Sequence, residues 1–214
     1  MKVAVIDYGV GNLGSIVRSL EELKVTPVLV NRPNDMHFAD SYILPGVGSF
    51  TDCAKILERD GWNKAILEEV KEAGKPILGI CLGMQLLASF GLEGATNKDG
   101  KGNKGLGLIP GSVLRLDDLG CQLNVPHVGW NEVKIKNTSN SLFNEIPNNT
   151  DFYFVHSYVF IPDNPDHIIA TTDYDISVIA AVQNKHIWGT QFHPEKSSRA
   201  GFKILQNFIN NPTC

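Results

Sequence analysis

In the first half of the chain, short apolar runs alternate with stretches whose apolar residues recur every three or four positions. Residues 2–7, 27–30, 41–44 and 76–80 are rich in Val, Ile and Leu, as strands covered on both faces are. Between them, 12–24 places Leu13, Ile16, Val17, Leu20 and Leu23 on one helical stripe, and 62–73 does the same with Ile66, Leu67 and Val70. This pattern predicts parallel strands joined by crossover helices. Beyond Leu92 the texture changes: 94–107 is rich in glycine and lysine and reads as a loop. Strand-like runs follow at 111–116, 128–135, 152–159, 168–172, 177–183 and 187–191, too closely spaced for a helix in every connection. Antiparallel hairpins must therefore be included. A last amphipathic stretch, 198–209, carries Phe202, Ile204, Leu205 and Phe208 as a closing helix. The expected fold class is α/β, a mixed central sheet flanked by helices, with residues 1–214 forming a single domain.

Composition narrows the function classes. With 43% hydrophobic and 20% charged residues the chain can bury a sizeable core, which excludes disordered and fibrous classes. A net charge of −4 with no basic run leaves no electrostatic footprint for a nucleic acid partner. Cys53, Cys81, Cys121 and Cys214 form no C-x-x-C pair, which argues against a zinc ribbon or disulfide scaffold and for a reducing, cytoplasmic setting. No run approaches the roughly 18 apolar residues of a membrane span, and the N-terminus lacks a signal-peptide core, so no membrane association is expected.

The sharpest local feature is Gly79-Ile80-Cys81-Leu82-Gly83, an apolar strand running through G-x-C-x-G into a helix. A strand that doubles back into a helix needs small residues two positions either side of the turning one, which is the pattern of a nucleophile elbow. The turn sets Cys81 at a helix N-terminus, where the dipole favours thiolate over thiol, and turns the Leu82 N–H toward a developing oxyanion. A thiolate nucleophile gains from a histidine oriented by an acceptor. Of six histidines, His193 ends the apolar run 187–192, is fixed by Pro194, and has Glu195 two residues on to accept from its other nitrogen. A third piece, Pro45-Gly46-Val47-Gly48, ends a buried strand in a loop bare enough to aim the Val47 N–H as a second oxyanion donor.

Two other patterns point elsewhere. Gly9-Val10-Gly11-Asn12-Leu13-Gly14 has the G-x-G-x-x-G spacing of a dinucleotide-binding turn, which would make the protein a nucleotide-dependent oxidoreductase. The second strand, however, ends in Val30-Asn31-Arg32, without the acidic ribose ligand that such a site uses. His193-Pro194-Glu195 matches the H-x-E of zinc deaminases, but no P-C-x-x-C follows, so neither a metal nor another cofactor is expected. A third alternative is a regulatory binding subunit that keeps the elbow without using it.

In order along the chain, Pro45-Gly46-Val47-Gly48, Gly79-Ile80-Cys81-Leu82-Gly83-Met84-Gln85 and Gln191-Phe192-His193-Pro194-Glu195 resemble the class I (triad) glutamine amidotransferases. Within that family, Tyr8-Gly9-Val10-Gly11-Asn12-Leu13, Pro126-His127-Val128-Gly129-Trp130-Asn131 and Tyr153-Phe154-Val155-His156-Ser157-Tyr158 look like the glutaminase subunits of imidazole glycerol phosphate synthases, from histidine biosynthesis. The resemblance implies an α/β sandwich in which Cys81 attacks the side-chain amide of glutamine, His193 protonates departing ammonia, and Glu195 orients His193. It also implies that Val47 and Leu82 donate to the oxyanion, and that Gln85 and Glu93, helped by Gly46, Gly48, His156 and Ser157, contact the substrate. The implied partner is a (β/α)8-barrel synthase subunit in a heterodimer, faced by Asn12, His127, Trp130, Asn131 and Tyr153. The isolated subunit is then expected to have low activity, its Pro45–Gly48 loop aligning only under the partner's influence. The segment 173–181 departs from the histidine-pathway pattern and leaves open a relative that serves sugar amidination in surface polysaccharide synthesis.

Overall fold

A computed structural model describes residues 2–95, 102–136 and 140–211. The predicted alternation is present in the first half: β1 (Val3–Ile6), α1 (Leu13–Glu22), β2 (Val28–Val30), β3 (Ser41–Leu44), α2 (Phe50–Arg59), α3 (Trp62–Ile66), β4 (Ile77–Ile80) and α4 (Leu82–Leu86). The second half carries β5 (Phe90–Gly91), β6 (Asn103–Lys104), β7 (Gly111–Arg115), β8 (His127–Ile135), β9 (Thr150–His156), β10 (Tyr158–Pro162), β11 (Ile168–Tyr174), β12 (Ile176–Asn184), β13 (Ile187–Thr190) and α5 (Ser198–Asn210). One nine-stranded sheet runs in the order β2-β1-β3-β4-β13-β12-β11-β8-β9, and β10-β7-β5-β6 form a second sheet. From β2 to β13 the large sheet is parallel, and from β13 to β9 it is antiparallel.

The pleat of β1 explains why the parallel half is apolar throughout. Val3 and Val5 pack with Ile16 and Leu20 of α1 and Ile204, Leu205 and Phe208 of α5 on one face. Ala4 and Ile6 join the core on the other face, with Phe50, Leu57, Trp62 and Ile66 from α2 and α3 and with Val113, Val159 and Phe160 of the small sheet. Successive side chains point to opposite faces, so a strand covered on both sides has no polar position to offer.

Several expectations are corrected. The helix expected over 62–73 is α-helical only through Ile66; Leu67–Glu72 widens into π-type turns, and the Val70 carbonyl bonds the His186 ring at 2.7 Å. The run 152–159 is two strands rather than one, because the chain leaves the large sheet at Ser157 and enters the small one as β10. The stretch 94–107, expected as a loop, contains β6, paired with β5, while its residues 96–101 lie outside the described residues. Helix α2 lies outside the predicted elements; Ser49 caps it, accepting from the Asp52 N–H at 3.5 Å.

Candidate active site

Strands β3, β4 and β13 lie side by side, and their C-terminal ends bring together segments far apart in sequence. Ile80 pairs with Thr190, so the chain leaves β4 at Cys81 just where β13 leads toward His193. The Cys81 N–H donates to the Thr190 carbonyl at 2.7 Å and locks that register. Leu44 pairs with Gly79 on the other side, which sets the Pro45–Gly48 loop at the same edge. Ligand sites in open α/β sheets form at such carboxyl ends.

Cys81 sits at φ 55°, ψ −110°, a left-handed conformation that costs a non-glycine residue on the order of 1–3 kcal/mol. The elbow holds it there because the surroundings leave no room. A Cβ on Gly83 would lie 1.9 Å from the Leu44 carbonyl oxygen, and one on Gly79 would lie 2.6 Å from that of Gly83.

His193 lines the same cavity as Cys81, and through Nδ1 it bonds Glu195 Oε1 at 2.7 Å. Both side chains of this ion pair are buried, at 3% and 1% exposure. Burial opposes charge on the ring, but the hydrogen bonds and negative charges of Cys81 and Glu195 outweigh it and raise the imidazole pKa to about 9. His193 is therefore an imidazolium at neutral pH. Its backbone is fixed as well: its N–H donates to the Tyr153 carbonyl at 2.9 Å, and the Ser197 hydroxyl donates to its carbonyl at 2.6 Å. Ser197 Oγ also accepts from the Tyr153 N–H at 3.0 Å, so this corner covers the free edge of β9.

A cavity of about 310 Å³ opens over the sulfur. Its lining includes Val47, Gly48, Leu82, Gln85, Glu93, His156 and Ser157 among the predicted residues, together with Cys81 and His193. Gly46 packs beneath it: a Cβ there would meet the Gly83 nitrogen at 2.7 Å. Glu93 Oε2 accepts from the Phe50 N–H at 2.7 Å, and so caps α2 from the cavity wall. Gln85 Nε2 donates to the Tyr158 carbonyl at 2.9 Å and to Gln191 Oε1 at 3.1 Å. Gln191, Lys196, Pro126 and Tyr158 were missed by sequence reasoning. Gln191 and Lys196 flank the His-Pro-Glu corner, but nothing in their type or spacing shows which way they point.

The antiparallel half supplies a second group of polar residues. His127 and His156 are cross-strand partners on β8 and β9, joined Nδ1 to Nε2 at 3.0 Å. His156 Nδ1 bonds the Tyr158 carbonyl at 2.9 Å, and the Asn131 amide nitrogen bonds His127 Nε2 at 3.2 Å and the Asp173 carbonyl at 3.0 Å. Because a carbonyl only accepts, the chain has a single direction, with a neutral imidazole at each step. Burial lowers the His127 pKa to about 4 and, chiefly, that of His156 to about 3. His127 stacks between Tyr174 and Phe154, with centroids 4.0 and 4.9 Å away. This corrects the expectation that His127 faces a partner: its position in the pleat turns it inward, and it is 2% exposed. Trp130 is 51% exposed and meets the half-buried Tyr153 edge-on, while Asn12 is exposed and Asn131 half-buried.

The Gly9–Gly14 turn does not have the packing a dinucleotide site needs. The third glycine of that fingerprint lets helix and strand approach closely, yet Gly14 is exposed, and a Cβ on it would meet only the Arg18 side chain, at 3.9 Å. Gly11 does pack closely, but against Pro45, in support of the loop at the active-site edge.

A cysteine–histidine–carboxylate chain at the end of a parallel sheet, beneath a small cavity that carries both charged and apolar side chains, defines a hydrolytic amide-transfer site, and comparison agrees. The family description "Glutamine amidotransferase class-I" matches residues 4–211, and the chain belongs to that family. Among curated relatives, imidazole glycerol phosphate synthase subunit HisH of Pelagibacter ubique is 40% identical over 98% of this chain and 100% of its own. The HisH subunit of Moorella thermoacetica is 43% identical over 96% of this chain and 93% of its own. Among solved structures, PurLQS from Thermotoga maritima superposes with a TM-score of 0.75 at 20% identity, covering 98% of this chain and 97% of that one, which shows the shared fold. Neither the oxidoreductase nor the polysaccharide reading is favoured by these relatives.

Proposed function

We propose that the protein is the glutaminase subunit of imidazole glycerol phosphate synthase, acting through Cys81, His193 and Glu195. The observation that carries this reading is the buried Glu195–His193–Cys81 chain at the floor of the cavity, in a sequence more than 40% identical to a HisH subunit. Residues 1–214 would work as one glutaminase domain. In the reaction, Cys81 sulfur attacks the side-chain carbonyl carbon of glutamine, and the Val47 and Leu82 N–H groups stabilise the oxyanion. His193, already protonated, gives its proton to the departing nitrogen, and ammonia leaves a γ-glutamyl thioester. Water then attacks the thioester, its proton returns to His193, and glutamate departs. Glu195 holds the ring, and its Oε2 is buried with no hydrogen-bond partner, which leaves Oε1 as the anchor for the imidazolium.

The cavity suits a zwitterionic amino acid. Its lining carries one carboxylate, Glu93, one ammonium, Lys196, and the Gln85 amide. Both protons of that amide are committed to Tyr158 and Gln191, so its oxygen is the group left for a substrate ammonium. Ammonia released into open water at neutral pH would become ammonium, so delivery needs a docked, water-poor passage. The partner that fits is the (β/α)8-barrel synthase subunit, docked over Trp130, Tyr153, Asn131 and Asn12 in a cytoplasmic heterodimer that makes imidazole glycerol phosphate and aminoimidazole carboxamide ribotide. No helix among the described residues is long and apolar enough to cross a membrane. The test is complementation of a histidine auxotroph lacking this subunit, with glutamate release measured for the complex. Rescue by wild type and none by Cys81→Ala is expected; rescue by Cys81→Ala would overturn the reading.

A further inference from the structure

Gln191 occupies a position that the triad chemistry does not use. It is fully buried between β13 and the His-Pro-Glu corner, at 0% exposure, and its Nε2 donates to the Cys81 sulfur at 3.7 Å. A primary amide in a pocket could in principle present either its oxygen or its nitrogen to that sulfur. Here the surrounding groups decide. The Tyr158 carbonyl can only accept, and it receives one proton from Gln85 at 2.9 Å and one from the His156 ring at 2.9 Å. That orients the Gln85 amide with its nitrogen toward Tyr158 and Gln191, so the Gln191 group facing it at 3.1 Å must be the oxygen. The Gln191 nitrogen is then left for Cys81. An amide turned the other way would set two nitrogens against each other and an oxygen against the sulfur, with several buried groups unpaired.

We propose that Gln191 is a positioning residue for the nucleophile, a buried amide whose N–H is directed at the sulfur by Gln85 and the Tyr158 carbonyl. This rests on the glutaminase reading above. The sulfur, on an elbow whose backbone is already held at positive φ, then sits between two fixed groups: it accepts from the Gln191 amide at 3.7 Å and donates to the Val155 carbonyl at 3.8 Å. Two fixed contacts define a rotamer where one leaves a cone of directions, which sets the sulfur's line of attack. The same amide ties the sulfur to Gln85 on the cavity wall, so nucleophile and substrate contact are set by one hydrogen-bonded unit.

Two variants of the full chain test this. Gln191→Leu removes donor and acceptor together; Gln191→Glu keeps an acceptor for Gln85 but presents no fixed N–H to the sulfur. The readout is iodoacetamide labelling of Cys81 across pH, resolved from Cys53 and Cys121 by peptide mass spectrometry, with folding followed by circular dichroism. In either variant, labelling of Cys81 at pH 7 is expected to slow by about 5- to 10-fold, the worth of one ordinary hydrogen bond. In complex with the partner, Gln191→Glu is expected to lower kcat by about 10-fold with KM within about two-fold, since Gln85 keeps its acceptor. A folded variant of either kind with the wild-type labelling profile overturns the proposal, and Gln191→Glu decides it alone if Gln191→Leu fails to fold. If wild-type Cys81 labels no faster than Cys53 and Cys121, the glutaminase reading falls, and this one with it.

Discussion

His193 on the parallel side of the sheet and the His127–His156 pair on the antiparallel side are the same residue type, all buried, yet one is charged and the pair is neutral. His193 is held near pKa 9 because a carboxylate and a sulfur face its two nitrogens. Burial holds His156 and His127 near 3 and 4, and no anion opposes it, since their partners are a carbonyl, another imidazole and a neutral amide. Burial alone drives an imidazole neutral, and only a facing anion reverses that. Reactive charge is thus confined to the carboxyl ends of β4 and β13, while the antiparallel half supplies a neutral, directional scaffold beside it.

The largest effect that breaks this contrast comes from the nucleophile. Cys81→Ala is expected to lower glutamate release by the partner-bound enzyme more than about 10³-fold, with folding intact by thermal melt. Next, Glu195→Gln removes the facing anion and should cut kcat by roughly 10². It should also lower the His193 pKa, so that the alkaline limb of the activity profile moves to lower pH. That shift is readable by imidazole NMR titration, and an unmoved limb would mean that Glu195 does not set the charge.

The two histidine environments also have opposite linkage to stability. His193, raised above the unfolded value, contributes stability that is complete below about pH 6.5 and lost as pH rises through about 9. His127 and His156 are depressed, so the fold is favoured above about pH 6.5 and loses stability as pH falls toward 4 and 3. Urea unfolding across pH should show both limbs. His127→Phe should flatten the acid limb and cost about 1–3 kcal/mol at neutral pH, by leaving His156 Nε2 without its donor. The smallest expected change in stability is that of Trp130→Ala, within about 0.5 kcal/mol because the ring is half exposed, whereas its affinity for the synthase partner should fall at least tenfold by titration.

The parallel half was the more legible in sequence, because strands covered on both faces read as continuous apolar runs, and the elbow needs glycines where no other residue fits. Gly79 and Gly83 announce Cys81 by steric necessity. The antiparallel half was less so: 152–159 looks like one strand, since nothing in Val155-His156-Ser157-Tyr158 signals the change of sheet. The resemblance set His127 beside Trp130 on a partner face, but three positions apart in a strand the two point to opposite sides of the pleat, and His127 turns inward to stack on Tyr174. Gln191 was unreadable for a similar reason: an amide next to a histidine has no pattern, and its role depends on Gln85 from another element.

The central claim is that Cys81 sulfur forms a covalent bond to glutamine's side-chain carbonyl. The most direct measurement is acid quenching of the partner-bound enzyme during turnover, with peptide mass spectrometry for a γ-glutamyl adduct. An adduct on the peptide bearing Cys81, absent in Cys81→Ala, is the predicted result. Turnover with no adduct on that peptide, or an adduct on Cys53 or Cys121 instead, would contradict it.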